Sequence, residues 1–146
     1  MLQVKNLTKT FASGGTIVSA VKDVSFTIDD GQFASIIGKS GSGKSTLLSM
    51  LGALDKPTSG TIEVGGKNIT GLGDRSLIAY RCKSIGFVFQ GYNLVPNLTA
   101  IENVMLRLEH AGHTNAGAEA EHWLGRVGLS HRLRHYPNHL SGGEQQ

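Results

Sequence analysis

Residues Gly38 to Ser45 read GKSGSGKS, and their types suit one task, the capture of a phosphate chain. Glycines let successive backbone N–H groups turn into a single concavity. A helix that begins directly afterwards adds its unpaired amides and the positive end of its dipole. The pattern G-x-x-x-x-G-K-[S/T] carries that chemistry when it stands between a buried strand and a helix. Gly38, Ser40, Gly41, Ser42 and Gly43 would form the cradle. Lys44 would reach the β- and γ-phosphates, the Ser45 hydroxyl would ligate Mg²⁺, and Thr46 would offer a further hydroxyl.

A second candidate is Ser141-Gly142-Gly143-Glu144. Ser-x-x-Glu is the form of a capping box, in which the serine and the glutamate satisfy each other's backbone amides at the start of a helix. A helix opening on two glycines exposes a hydroxyl and bare amides at its positive end, which makes a second anion site. An ordinary cap after a loop fits these four residues as well.

The surrounding patterns supply the elements. In VSFTID, Val24, Phe26 and Ile28 alternate with polar residues, the period of a half-buried strand. FASIIG, Phe33 to Gly38, is nearly all apolar, as a buried parallel strand would be. Leu47, Leu48, Leu51 and Leu54 recur at helical spacing until Pro57 and Gly60. TIEVGG predicts a short strand and a tight turn. SIGFVFQ predicts a second buried strand, with Ile85, Phe87 and Phe89 on one face and Gln90 at its end. Thr99 and Glu102 form a capping box for a helix with the stripe Ile101, Val104, Met105 and Leu108. A further helix is expected over Ala116 to Val127, with Ala120, Trp123, Leu124 and Val127 inward and Gly128 at its end. Strands and the phosphate loop thus occupy residues 1–97, and a mostly helical stretch occupies 98–146.

Composition narrows the class. The 146 residues match one domain, and of the 20 glycines, about twice the usual ~7%, many are grouped, as at Gly14-Gly15 and Gly65-Gly66, and mark turns. A net charge of +3 with interspersed signs describes a solvated surface and gives no nucleic-acid footprint. Cys82 is the single cysteine, so an internal disulfide is excluded, in keeping with a reducing cytoplasm. There is no leader-like apolar segment and no run of about 18 apolar residues. His131, His135 and His139 are spaced by four, but Pro137 would break the helix needed to gather them around a metal.

Taken in order, GKSGSGKST, IGFVFQ and LSGGEQQ resemble the Walker A, Q-loop and signature motifs of ATP-binding-cassette (ABC) transporter ATPases. LDKPTSG and GYNLVPNLTAIENV are similar to the branch serving lipoprotein release, macrolide and peptide efflux, and division-associated transporters. The resemblance implies an α/β nucleotide-binding domain of the P-loop NTPase type, with a mixed sheet carrying the Walker A loop and a helical subdomain. It implies ATP and Mg²⁺ as ligands and a head-to-tail dimer with a second nucleotide-binding subunit. In such a dimer Ser141, Gly142 and Gly143 would meet the γ-phosphate of the partner's nucleotide. Gln90 would approach Mg²⁺ and the attacking water, and Gly91 to Asn97 would receive a helix of a membrane permease. Phe11 falls where the family places an aromatic stacked on adenine, although a core phenylalanine would fit there too. The implied location is the cytoplasmic face of a membrane.

Two departures stand out. Lys39 occupies a position where this branch usually has proline. The family's pattern also continues past the signature helix into an apolar strand ending Asp-Glu and a switch histidine, which should lie beyond Gln146. The chain is therefore expected to be a fragment, starting near its natural N-terminus. ATP hydrolysis would belong to the longer protein, and FASIIG would be left with an exposed apolar edge. A soluble ABC ATPase that does not transport, or a nucleotide-binding stub without turnover, are the other readings of the same motifs.

Overall fold

Glycine pairs decide where the N-terminal half turns back. Gly14 and Gly15 have φ of +54° and +80°, and Gly65 and Gly66 have φ of +57° and +77°. Left-handed values at both centres of a two-residue turn match the natural twist of paired strands. The computed structural model, which describes residues 1–146, folds back at both places. Strand β1 (Leu2–Ser13) runs antiparallel to β2 (Thr16–Ile28) on one side and to β3 (Ser59–Val64) on the other. β3 turns into the short β4 (Lys67–Asn68), giving the sheet order β2-β1-β3-β4. Val4 lies opposite both Phe26 and Ile62, and Phe11 lies opposite Val18.

Val24, Phe26 and Ile28 are half-buried while Ser25 and Thr27 are exposed, as their alternation requires. The ladder is irregular between Val4 and Thr10, where Asn6 adopts φ +48° and donates to the Asp23 carboxylate at 2.9 Å. Gly60 faces this bulge at φ +90°, and a Cβ there would lie 2.4 Å from the Asn6 carbonyl oxygen.

Val4, Leu7 and Ile62 of the sheet pack with Leu47 and Met50 of α1 (Lys44–Leu51) and Leu77 of α2 (Asp74–Ser84). These residues belong to the first of two compact units, Met1–Ile85. The inward stripe of α1 is Leu47 and Met50, so Leu48 and Leu54 are exposed, and the helix ends at Leu51 with Gly52 as its cap. α2 has no counterpart among the sequence expectations because Leu77 is its one buried residue, too little for an apolar period to register.

Two expected strands do not form. Phe33 to Gly38 carries no ladder pairing, and Phe33 and Ile37 are exposed by 97% and 89%. A parallel strand needs a neighbour for its amides and carbonyls, and the described sheet is antiparallel throughout. Ser84 to Gln90 is likewise unpaired, and Val88 is exposed, while Phe87 and Phe89 stack on each other with ring centres 5.3 Å apart.

The second unit, Gly86–Gln146, is helical. It contains α3 (Ala100–His110), α4 (Ala116–Arg126), a 3-10 turn at Pro137–His139 and α5 (Gly142–Gln145). Ala100, Leu124 and Leu140 form its core with Ile101, Val104, Leu129 and Leu133. Along α4 the buried row is Ala116, Ala120 and Leu124, four residues apart, so Trp123 and Val127 point outward, contrary to expectation. Small residues on that row admit α3 closely, and an inward Trp123 would not. The 3-10 turn beginning at Pro137 also keeps His131, His135 and His139 off a common helix.

Both expected capping boxes are present. Thr99 accepts from the Glu102 amide, and the Glu102 carboxylate accepts from the Thr99 amide at 2.7 Å. Ser141 and Glu144 repeat the arrangement at α5, where Arg132 adds a donor at 3.0 Å. The Ser141 amide, the Ser141 side chain and then Arg132 hold the Glu144 pKa down at about 2.

The Gly60 contact predicts that Gly60→Ala lowers stability by about 2–4 kcal/mol, through left-handed strain and a backbone clash. Gly66→Ala has the same sign of φ but open space around it, so it should cost only about 1 kcal/mol. Urea unfolding of both variants checks this, and equal losses would contradict the close approach. For Glu144 the folded pKa lies below the ordinary 4.5. Its stabilisation is therefore complete above that value and is lost as pH falls through about 2. The stability difference between the parent and Glu144→Ala should be flat above pH 4.5 and shrink below it.

Candidate functional site

Every α-helix begins with amides that have no partner inside the helix. At α3 the protein supplies acceptors: the Ala100 amide donates to the His135 carbonyl at 2.9 Å, Ile101 to Leu133 at 3.0 Å, and Glu102 to Thr99. At α1 no side chain caps the helix, and the first α1 amide with an acceptor among the described residues is Leu47, which donates to Gly43 at 2.8 Å. Lys44, Ser45 and Thr46 thus present free amides at the positive end of a helix, in the segment whose sequence predicts a phosphate cradle.

Backbone conformation explains why this turn is made of glycine. Gly41 and Gly43 take φ of +77° and +86°. A Cβ on Gly43 would lie 2.0 Å from the Ala20 carbonyl oxygen of β2, and one on Gly38 would lie 2.7 Å from the Ser42 hydroxyl. No side chain fits at Gly43 without moving the strand. Ser42 closes the turn by donating to the Lys39 carbonyl at 3.2 Å.

Lys44 folds back over the loop, donating to the carbonyls of Gly38 at 2.9 Å and Lys39 at 2.8 Å. An ammonium has three hydrogens, so the charge is held over the loop by weak neutral acceptors that an anion could displace. Ser40 and Ser45 are exposed, and Thr46 is half-buried. An open recess of about 160 Å³ adjoins the loop, lined by Val21, Val24, Ile36, Ser42, Lys44 and Leu47 among others. The residues from Gly38 to Thr46 are therefore gathered as one site of fitting chemistry for a triphosphate.

Phe11 also lies in the first unit, on β1. Its ring is 43% exposed, which suits a surface platform better than a core role, and the Lys9 ammonium sits 5.0 Å from the ring centre.

Gln90, Ser141, Gly142 and Gly143 belong to the second unit. Gln90 is exposed at a turn in which the Tyr92 amide donates to the Phe89 carbonyl at 3.1 Å. Tyr92 and Asn93 then take left-handed φ of +59° and +54°, an unusual pair for residues with side chains. A Cβ on Gly142 would lie 3.0 Å from the Tyr92 hydroxyl, so the Q-loop neighbourhood and the signature-like turn are in contact.

Sequence reasoning passed over Asn103, although a polar Asn inside an apolar helix often signals side-chain bonds to backbone. Its amide nitrogen donates to the carbonyls of Val95, Leu98 and Thr99, and its oxygen accepts from the Val95 amide at 2.8 Å. The loop before α3 is thereby pinned beside an apolar recess of about 270 Å³ lined by Leu94, Ala100, Val104 and Leu140.

Comparisons with known proteins agree with this geometry. The family described as ABC transporter matches residues 21–146. A lipoprotein-releasing system ATP-binding protein LolD from Geobacter metallireducens is 49% identical over the whole chain, which spans 66% of that relative. A macrolide export ATP-binding/permease protein MacB from Hyphomonas neptunium is 42% identical, again over the whole chain but over 23% of its own length. Among solved structures, the ATP-binding cassette MJ0796, a dimer in a post-hydrolysis state bound to ADP and Pi, superposes with a TM-score of 0.90 at 42% identity. That match covers 99% of the chain and 65% of the cassette. The chain therefore spans no more than about two thirds of these relatives, and it belongs to the ABC transporter family.

Proposed function

We propose that the chain is the ATP-binding portion of an ABC transporter motor. One observation carries the reading: α1 begins with free amides beneath a glycine turn whose Gly43 has no room for a side chain, with Lys44 poised across it. In this reading the amides of Gly41 and of Gly43 to Thr46 cradle the β- and γ-phosphates, and Lys44 exchanges its two carbonyl partners for phosphate oxygens. Gly38, Ser40 and Ser42 shape the wall of the turn.

The Ser45 hydroxyl would hold Mg²⁺, which supplies charge neutralisation on the phosphates when bound, and in the second unit Gln90 is a further candidate for that role. Ser45 contributes a hydroxyl and Gln90 an amide oxygen, both suited to a hard cation. Phe11 gives the base an aromatic face. Ser141, Gly142 and Gly143 serve the γ-phosphate of a second nucleotide-binding subunit, completing a site that each copy holds only in part. Hydrolysis belongs to the whole protein, in which Lys44 would serve the reacting phosphate and Gln90 the attacking water.

The permease partner follows from the segment Gly91 to Asn97. It is rigidified by Asn103, turned by two left-handed residues and bordered by the apolar recess at Leu94, a shape suited to the end of a short apolar helix. No described helix is long and apolar enough to cross a membrane. In this reading the chain sits on the cytoplasmic face of the membrane through that partner. The relatives' roles in lipoprotein release and macrolide export make an export system the preferred class over a soluble ABC ATPase.

Equilibrium binding of MgATP tests the cradle. Lys44→Ala should weaken ATP at least about tenfold, the size of a lost charge-assisted bond, and affinity within about twofold of the parent would refute the assignment. Phe11→Ala should weaken ATP and GTP about equally, by ~1–3 kcal/mol, because stacking is indifferent to base edges. A large loss for one nucleotide alone would point to edge recognition instead.

A further inference from the structure

We infer that Lys9 is a positioning residue of this nucleotide site, holding the Phe11 ring by one face so that the opposite face meets the base. The inference rests on the reading of Phe11 and the phosphate loop given above. Lys9 and Phe11 stand two apart on β1, and so on one face of the strand. The Lys9 ammonium donates to the Asp55 carboxylate at 2.7 Å and to the Lys56 carbonyl at 2.7 Å, and it lies 5.0 Å from the centre of the Phe11 ring. Two of its three hydrogens are spent on oxygen, which leaves the third for the ring. Its side chain is only 14% exposed, so water competes little for these contacts.

The anchor is itself fixed to the helix that starts at the phosphate loop. Asp55 accepts from the Lys56 amide at 2.8 Å, and the amides of Leu54 and Asp55 donate to the carbonyl of Ser49 in α1. A continuous path thus runs from Phe11 through Lys9 and Asp55 into α1, whose first residue is Lys44. Alongside it the Thr10 amide donates to the Thr58 hydroxyl at 3.0 Å, and the Thr58 amide donates to the Thr8 carbonyl at 2.8 Å. The base platform and the phosphate cradle are therefore built on one connected frame, and Lys9 is the joint.

The placement has an electronic consequence. A cation over one face of an aromatic ring draws its π charge to that side and leaves the other face less negative. That lowers the repulsion that opposes stacking against the π face of a base. Lys9 therefore acts on base binding in two ways, by ordering the ring and by polarising it, and in neither does it touch nucleotide.

Binding of MgATP and of magnesium tripolyphosphate, compared in the parent, Lys9→Met, Lys9→Arg and Lys9→Met/Phe11→Ala, tests this. Lys9→Met keeps the apolar stem and should weaken ATP about fivefold, the scale of a half-buried cation–π contact, while tripolyphosphate changes by less than about twofold. Lys9→Arg should restore most of the loss, and the double variant should bind ATP no more weakly than Phe11→Ala alone. Unchanged ATP affinity in Lys9→Met, equal losses for ATP and tripolyphosphate, or additive losses in the double variant would each overturn the inference. If Lys9→Met does not fold, Asp55→Asn supplies the same comparison. A loss selective for ATP supports the inference, and no loss or an unselective one overturns it. A parent that binds tripolyphosphate as tightly as ATP would overturn the base platform alone. A parent that binds neither would bring down the phosphate cradle as well.

Discussion

The unpaired amides at the start of α1 are the constraint around which the first unit is arranged. A helix end whose amides lack acceptors is costly unless something supplies them. At α3 and α5 side chains and loop carbonyls do so. At α1 the sequence withholds them: Gly43 has no side chain to offer, and the left-handed turn leads the backbone past the helix end without covering it. β2 runs so close to Gly43 that its Ala20 carbonyl excludes even a methyl group. Sheet, turn and helix thus cooperate to keep one set of donors open, while Lys44 lies across them on replaceable partners.

How far this was legible in the sequence depends on whether the signal was local. The phosphate turn, both capping boxes and the glycine hairpins follow from residue chemistry within a few positions, and the structure has each of them. FASIIG and SIGFVFQ have the apolar content and, in SIGFVFQ, the face pattern of buried strands, but a strand exists only with a neighbour, and a run of apolar residues does not say whether one is present. Trp123 and Val127 failed for a different reason. Several stripes can be drawn on an amphipathic helix, and close packing of α4 on α3 chose the small-residue row of Ala116 and Ala120. α2, with Leu77 as its one buried residue, has no period to read.

Side chains that act through space were the least visible. Lys9 looks like a solvated lysine on a strand, and its placement against Asp55 joins residues 46 positions apart. Asn103 and Tyr92 gain meaning only when the loop before α3 and the turn at Gly142 come beside them. Local motifs therefore carry the proposal of what the site binds, and tertiary contacts determine how rigidly its residues are held.

The central claim is that the open amides of α1 are the phosphate-binding donors. Hydrogen exchange of backbone amides, read residue by residue with and without MgATP, addresses them directly. The account expects exchange to slow on nucleotide addition from Gly43 to Thr46, while the amides of Ala100 and Ile101, already bonded to protein, stay as they were. ATP binding that leaves Gly43 to Thr46 exchanging at their original rates would contradict it.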